Sequence, residues 1–96
     1  MRTIQVSPRA ALEIERADDW WFENRPKAPG AVGDELASAF AQVAANPEAC
    51  PVIAARGLRR LFLRRIRFHL YYRIRDEDIV DVLSLWQANR GADPEL

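Results

Sequence analysis

A single cysteine and a single histidine are all that this 96-residue chain has of those two residue types. Cys50 has no second cysteine to pair with, so no internal disulfide can form, and a cytoplasmic setting is the simplest expectation. Cys50 and His69 cannot together supply the ligands of an ordinary zinc site. No apolar run approaches the roughly 18 residues that span a bilayer. The opening MRTIQVSPRA lacks the apolar segment of a secretory signal, and no membrane attachment is expected. Internal repeats and low-complexity tracts are absent. Net charge is missing too: 14 basic residues face 14 acidic ones. That balance argues against a protein that coats nucleic acid through bulk charge.

What the chain does have is apolar content of 49%, which excludes a disordered chain. Its length suits one small domain with one core, here residues 1–96. The neutral total conceals an uneven distribution. Residues 1–55 hold eight acids against five bases, residues 56–75 hold eight arginines and no acid, and Asp76, Glu77, Asp78 and Asp81 follow. The stretch LRRLFLRRIRFHLYYRIR, Leu58 to Arg75, threads apolar residues between its arginines. It reads as a nucleic-acid surface, a phosphate clamp or one face of an ordinary sheet.

Arg2 to Val6 forms a first short strand. Ser7-Pro8 is a helix start, with Ser at the N-cap and Pro at the first helical position. The first helix runs to about Asn24, and Ala10, Ile14, Ala17 and Trp21 share one of its faces. Trp20 and Phe22 lie off that stripe and are expected to widen the edge of the core. Arg25-Pro26-Lys27-Ala28-Pro29-Gly30 breaks the helix. The second helix, from about Ala31 to Ala45, buries Val32, Leu36, Phe40 and Val43, and Asn46-Pro47 stops it. Pro47 to Gly57 is expected to be a loop.

After it the apolar period changes from 3.6 to 2. Leu58–Leu63 is a second strand. On a third strand Phe68, Leu70, Tyr72 and Ile74 share one face, and Arg67, His69, Tyr71, Arg73 and Arg75 the other. Residues 75–78 turn. Ile79–Trp86, apolar on both sides apart from Asp81 and Ser84, reads as a covered inner strand, placed beside the first. The tail from Gln87 is irregular. The expected architecture is α+β in the order β-α-α-β-β-β, a helical hairpin on one face of a small, mainly antiparallel sheet. Trp21, Tyr72 and Trp86 are assigned to the core, Tyr71 to the cationic side, and Arg90 and Asp93 to a local ion pair.

The run V-S-P-R-A-x-x-E-I (Val6–Ile14) with Trp20-Trp21, Asn46-Pro47, Gly57-Leu-Arg-Arg-Leu, Phe68-His-Leu-Tyr-Tyr-Arg-Ile and Val82-Leu-Ser-Leu-Trp resembles the ParE/RelE superfamily of bacterial toxins. The similarity covers about residues 3 to 91, and the ParE branch is the nearer one. The order and spacing of these runs carry the likeness; no one motif is decisive. The resemblance implies a toxin paired with an antitoxin, which wraps it with a C-terminal segment and contacts operator DNA through its own DNA-binding part. It thus implies a hetero-oligomer. ParE-like members poison DNA gyrase, whereas RelE-like members cut mRNA in the ribosome. Neither a cofactor nor a metal is expected.

A metal-free ribonuclease needs a base for the 2′-hydroxyl, an acid for the leaving 5′-oxygen and cations for the phosphorane. Matched to the RelE-like pattern, Arg60 meets a basic position, but Phe62 stands where a second is expected. His69 stands at the place of a catalytic arginine. The arginine expected after the last strand falls on Ala88, with Arg90 two residues on, and Gln87 replaces a histidine that related toxins carry. No tyrosine follows Tyr72. The catalytic set Arg60, His69, Arg90 is therefore incomplete, and His69 reads first as a sheet-face residue pairing across strands, with contact to antitoxin or target as the alternative. For binding antitoxin or target the candidates are Arg59, Arg60, Arg64, Arg65, Arg67, Tyr71, Arg73 and Arg75. A solvated face is the alternative for these arginines.

Overall fold

The computed structural model describes all 96 residues. Its elements are β1 (Thr3–Val6), α1 (Pro8–Asn24), α2 (Ala31–Ala45), β2 (Val52–Ala54), β3 (Leu58–Leu63), β4 (Phe68–Ile74) and β5 (Ile79–Gln87). The sheet runs β1-β5-β4-β3-β2. β1 pairs in parallel with β5, and the other neighbours are antiparallel. The expected placement of the last strand beside the first is observed, because the helical hairpin carries the chain across the sheet between them.

Local chemistry starts α1 where the sequence indicates. The Ser7 hydroxyl accepts from the Ala10 N–H at 3.0 Å and donates to the Leu83 carbonyl at 3.3 Å. One side chain thus caps the helix and ties it to β5. β1 ends at Val6, so β5 beyond Val82 has no strand neighbour on that side. Glu13 of α1 supplies the missing acceptor: its Oε1 takes the Leu85 N–H at 3.2 Å and the buried Ser84 hydroxyl at 2.8 Å. Arg9, one turn back, lies 3.5 Å from the same carboxylate.

The core lies between the helices and the sheet. Ala10 and Ala17 of α1 and Val32, Leu36, Ala39 and Val43 of α2 meet Leu63, Ile66, Leu70, Tyr72, Val80, Val82 and Leu85. The alanines let α1 approach β5 closely. A bulge explains the two-sided apolar reading of the last strand. Tyr71 pairs with Ser84 but Tyr72 with Val82, leaving Leu83 unpaired. The extra residue lets Val82 and Leu85, three apart, both face the core.

Several expectations need correcting. The segment Pro47–Gly57 is not all loop, since Val52–Ala54 forms the edge strand β2. Three residues are too few to show a period, and all three are exposed. The turn into β3 uses left-handed backbone at Arg56 and Gly57, with φ of 63° and 70°. Trp20 and Phe22 do not widen the core: they are 48% and 68% exposed. The narrow stripe of Ala10 and Ala17 is what α1 buries, and it leaves both outside. Trp86 also lies outside the core cluster. Arg67 is a turn residue at φ 59°, not part of the β4 face. Arg90 and Asp93 do not pair with each other; each has another partner, described below.

Candidate functional site

The face of the sheet away from the helices is built from cross-strand rows. Arg60 of β3 stands opposite Tyr71 of β4, which stands opposite Ser84 of β5. The next row is Phe62, His69 and Trp86. The Phe62 and His69 rings are 5.4 Å apart, and His69 meets Tyr71 edge-on at 6.0 Å. Alternation along each strand puts these side chains on one surface, so the arginine-rich stretch carries an aromatic and basic face opposite the core.

The C-terminal tail crosses this face. Trp86 donates its indole N–H to the Ala92 carbonyl at 2.9 Å. One oxygen of Asp93 accepts from Arg60 at 3.0 Å and from the Tyr71 hydroxyl at 2.5 Å. Pro94 is buried, and Arg9 donates to the Glu95 carbonyl at 2.5 Å. Tyr71 is thereby fully covered. Burial raises its hydroxyl pKa, and the bond to Asp93 raises it further. His69 is pushed below the usual imidazole value by burial first and the Arg60 charge second; Asp93 opposes both. His69 is therefore neutral at pH 7.

The other sequence candidates are dispersed. Arg59, paired with Tyr72, turns to the opposite side. Its guanidinium donates to the carbonyls of Cys50 and Glu48 and so anchors the segment after α2. Tyr72 reinforces that anchor through its hydroxyl, 2.7 Å from the Pro47 carbonyl. Arg75 is held by Asp81, with contacts of 2.9 and 2.5 Å, and by Gln5. That pairing lowers the Asp81 pKa. Arg65 lies 3.8 Å from Asp34 at an exposed position. Arg64, Arg67 and Arg73 make no ion pair within 4.0 Å.

A second feature was not anticipated from sequence. A groove of about 990 Å³ runs between the C-terminal half of α1 and the end of the sheet. Trp20, Trp21, Phe62, Phe68 and Trp86 line it, with Arg16, Arg25, Arg65, Arg67 and Arg90. Glu13 is its one carboxylate. Arg25 lies over the rings of Trp20 and Trp21, at 5.2 and 5.8 Å, and Arg90 over Trp86 at 4.1 Å. Such contacts keep exposed indoles tolerable in water. The adjacent pair Trp20-Trp21, which cannot both sit on one helical face, was the available signal.

The chain thus carries a basic and aromatic surface, and no three metal-ligating side chains gather in it. The family model described as "ParE toxin of type II toxin-antitoxin system, parDE" matches residues 4–91, and the chain belongs to this family of toxins. A chain in the solved structure of the chromosomal ParDE TA system from P. aeruginosa is similar in fold. The TM-score is 0.75 at 20% identity, over 93% of this chain and 98% of that one. No curated protein matches the sequence. No helix is long and apolar enough to cross a membrane.

Proposed function

We propose that this toxin arrests growth by binding DNA gyrase and trapping its cleaved DNA complex, and that a cognate antitoxin neutralises it by wrapping its surface. It acts in the cytoplasm as a single-domain protein without cofactor or metal, and meets operator DNA only through the antitoxin in a hetero-oligomer. Arg60, Arg64, Arg65, Arg67 and Arg73, with Tyr71, are the side chains through which partner or target is held; Arg59 anchors the segment after α2, and Arg75 pairs with Asp81 at the surface.

The observation that carries binding over catalysis is the state of the second face. The Tyr71 hydroxyl is held further from ionising, by burial first and by its bond to Asp93 second. At the end of β5 stand Gln87 and Ala88, neither of which transfers a proton at neutral pH. The deciding experiment is a gyrase supercoiling and cleavage assay with the purified chain. Linear, gyrase-bound DNA is expected; an unaffected enzyme in the presence of folded toxin removes this target.

One observation favours a second reading. A neutral His69 beside Arg60 suits a general base, as a ribosome-dependent mRNA endonuclease using Arg60, His69 and Arg90 would need. That reading predicts new mRNA ends within codons and loss of growth arrest in His69→Ala. The gyrase reading predicts SOS induction, filamentous cells and no new mRNA ends.

A further inference from the structure

The last six residues fold over the second face in a way that differs from every other part of the chain. Gly91 to Leu96 make no backbone–backbone hydrogen bond, and Gly91 enters the segment in left-handed backbone at φ 80°. The segment is held by side chains of other elements: Trp86 on Ala92, Arg60 and Tyr71 on Asp93, and Arg9 on Glu95. Pro94 alone is buried. The side chains of Asp93 and Arg60 are 61% and 39% exposed. Contacts between groups so open to water are weak and easily exchanged.

The receiving side is the opposite. Tyr71 and Arg60 sit opposite each other on adjacent strands in fixed register. A rigid pair of donors converges on one carboxylate oxygen, and a loosely tethered segment supplies that carboxylate. This is the relation of a binding site to a ligand.

We propose that Arg60 and the Tyr71 hydroxyl form a carboxylate seat for an acidic, extended segment of a partner protein, and that Gly91–Leu96 is an internal ligand which the partner displaces. The inference rests on the reading of the chain as a toxin neutralised by a partner, and supplies what that partner must bring to this face. It needs a carboxylate to replace Asp93 and a flanking apolar or proline residue to replace Pro94. Where the segment is closed, the free chain binds more weakly than its open form, by the fraction of molecules in which the seat is empty. The same displacement uncovers the Tyr71 hydroxyl, which now donates to Asp93.

The test uses the full-length chain and a synthetic acetylated peptide with the sequence of Gly91–Leu96, followed by NMR of His69 and of the tail amides. In Asp93→Asn the tail is expected to become mobile while the amides of β3 and β4 stay unchanged. The His69 titration midpoint is expected to move down, because Asp93 holds it up. Added peptide is expected to bring the midpoint back, with an apparent affinity about tenfold tighter for Asp93→Asn than for wild type. The same peptide with Asn in place of its Asp should do nothing. Tyr71→Phe, which keeps the buried ring and removes the donor, should lose the response while melting as a folded protein.

A tail that stays ordered in Asp93→Asn overturns the proposal. So does a peptide that leaves His69 unmoved at millimolar concentration, or one that acts equally without its carboxylate. No gyrase is present in this experiment, so its failure and the failure of the target assignment are read separately.

Discussion

The two faces of the sheet are held by different physics. On the helical face, side chains from α1, α2, β3, β4 and β5 exclude water from one another, and no single polar contact decides the arrangement. On the other face stand a row of Arg60, Tyr71 and Ser84 and a row of Phe62, His69 and Trp86; a tail that only side chains retain reaches Arg60, Tyr71 and Trp86 and leaves Phe62 exposed. The first kind of packing is permanent because its driving force is spread over many atoms. The second rests on a few discrete polar contacts.

The largest effect that separates the faces comes from the core. Leu70→Ala empties a fully buried site on the helical side of β4 and is expected to cost about 2–5 kcal/mol, measured by urea unfolding. His69→Ala, one residue away on the other side, should fall well short of that. Similar losses at both positions would end the distinction between the faces.

Next comes the junction of α1 with β5. Removing the Glu13 carboxylate by Glu13→Ala orphans the Leu85 N–H and the buried Ser84 hydroxyl, at about 1–3 kcal/mol. Ser84→Ala combined with Glu13→Ala should recover part of that loss, since one of the orphaned groups is gone. Ser7→Ala removes the N-cap of α1 and is expected to cost about 1 kcal/mol, read from the same unfolding curves.

A subtler contrast lies in pH. The folded state lowers the His69 pKa, so the native protein binds fewer protons than the unfolded chain. The associated stability is fully present above the unfolded value of about 6.5 and is lost as pH falls through the lower folded value. His69→Gln should flatten that part of the stability profile between pH 7 and 5. An unchanged slope would place the titration elsewhere.

Smallest of all is the exposed pair of Arg75 and Asp81. Its depressed Asp81 pKa means a contribution present at neutral pH and lost in acid below the ordinary carboxylate value. Arg75→Met should lower the Tm slightly at low salt and not at 1 M salt, where screening removes the interaction.

Reading the chain without its structure succeeded where a period or a punctuation mark carried the information. Ser7-Pro8 starts α1, Asn46-Pro47 ends α2, and the switch from a period of 3.6 to one of 2 marks β3 and β4. It failed where the decisive contact was remote. Val52–Ala54 is too short to show alternation. Trp86 looked like a core residue because it is large, and only its position at the end of β5, between Arg9 and Arg90, puts it elsewhere. Arg90 and Asp93 looked like a pair because they are close in sequence, whereas Asp93 reaches Arg60 across 33 residues.

The sequence by itself determined the two helices, most of the strands, the arginine-rich stretch and the likeness to the ParE family. Propensity, capping and periodicity act over a few residues and are written along the chain. Only the tertiary structure decided that Arg59 supports while Arg60 faces outward with Tyr71, that α1 and the sheet end enclose a groove of tryptophans and arginines, and that the tail reaches Arg60, Tyr71 and Trp86 on the second face. Each of those depends on strand register and on where two distant segments meet in space, and neither follows from the order of residues along either segment alone.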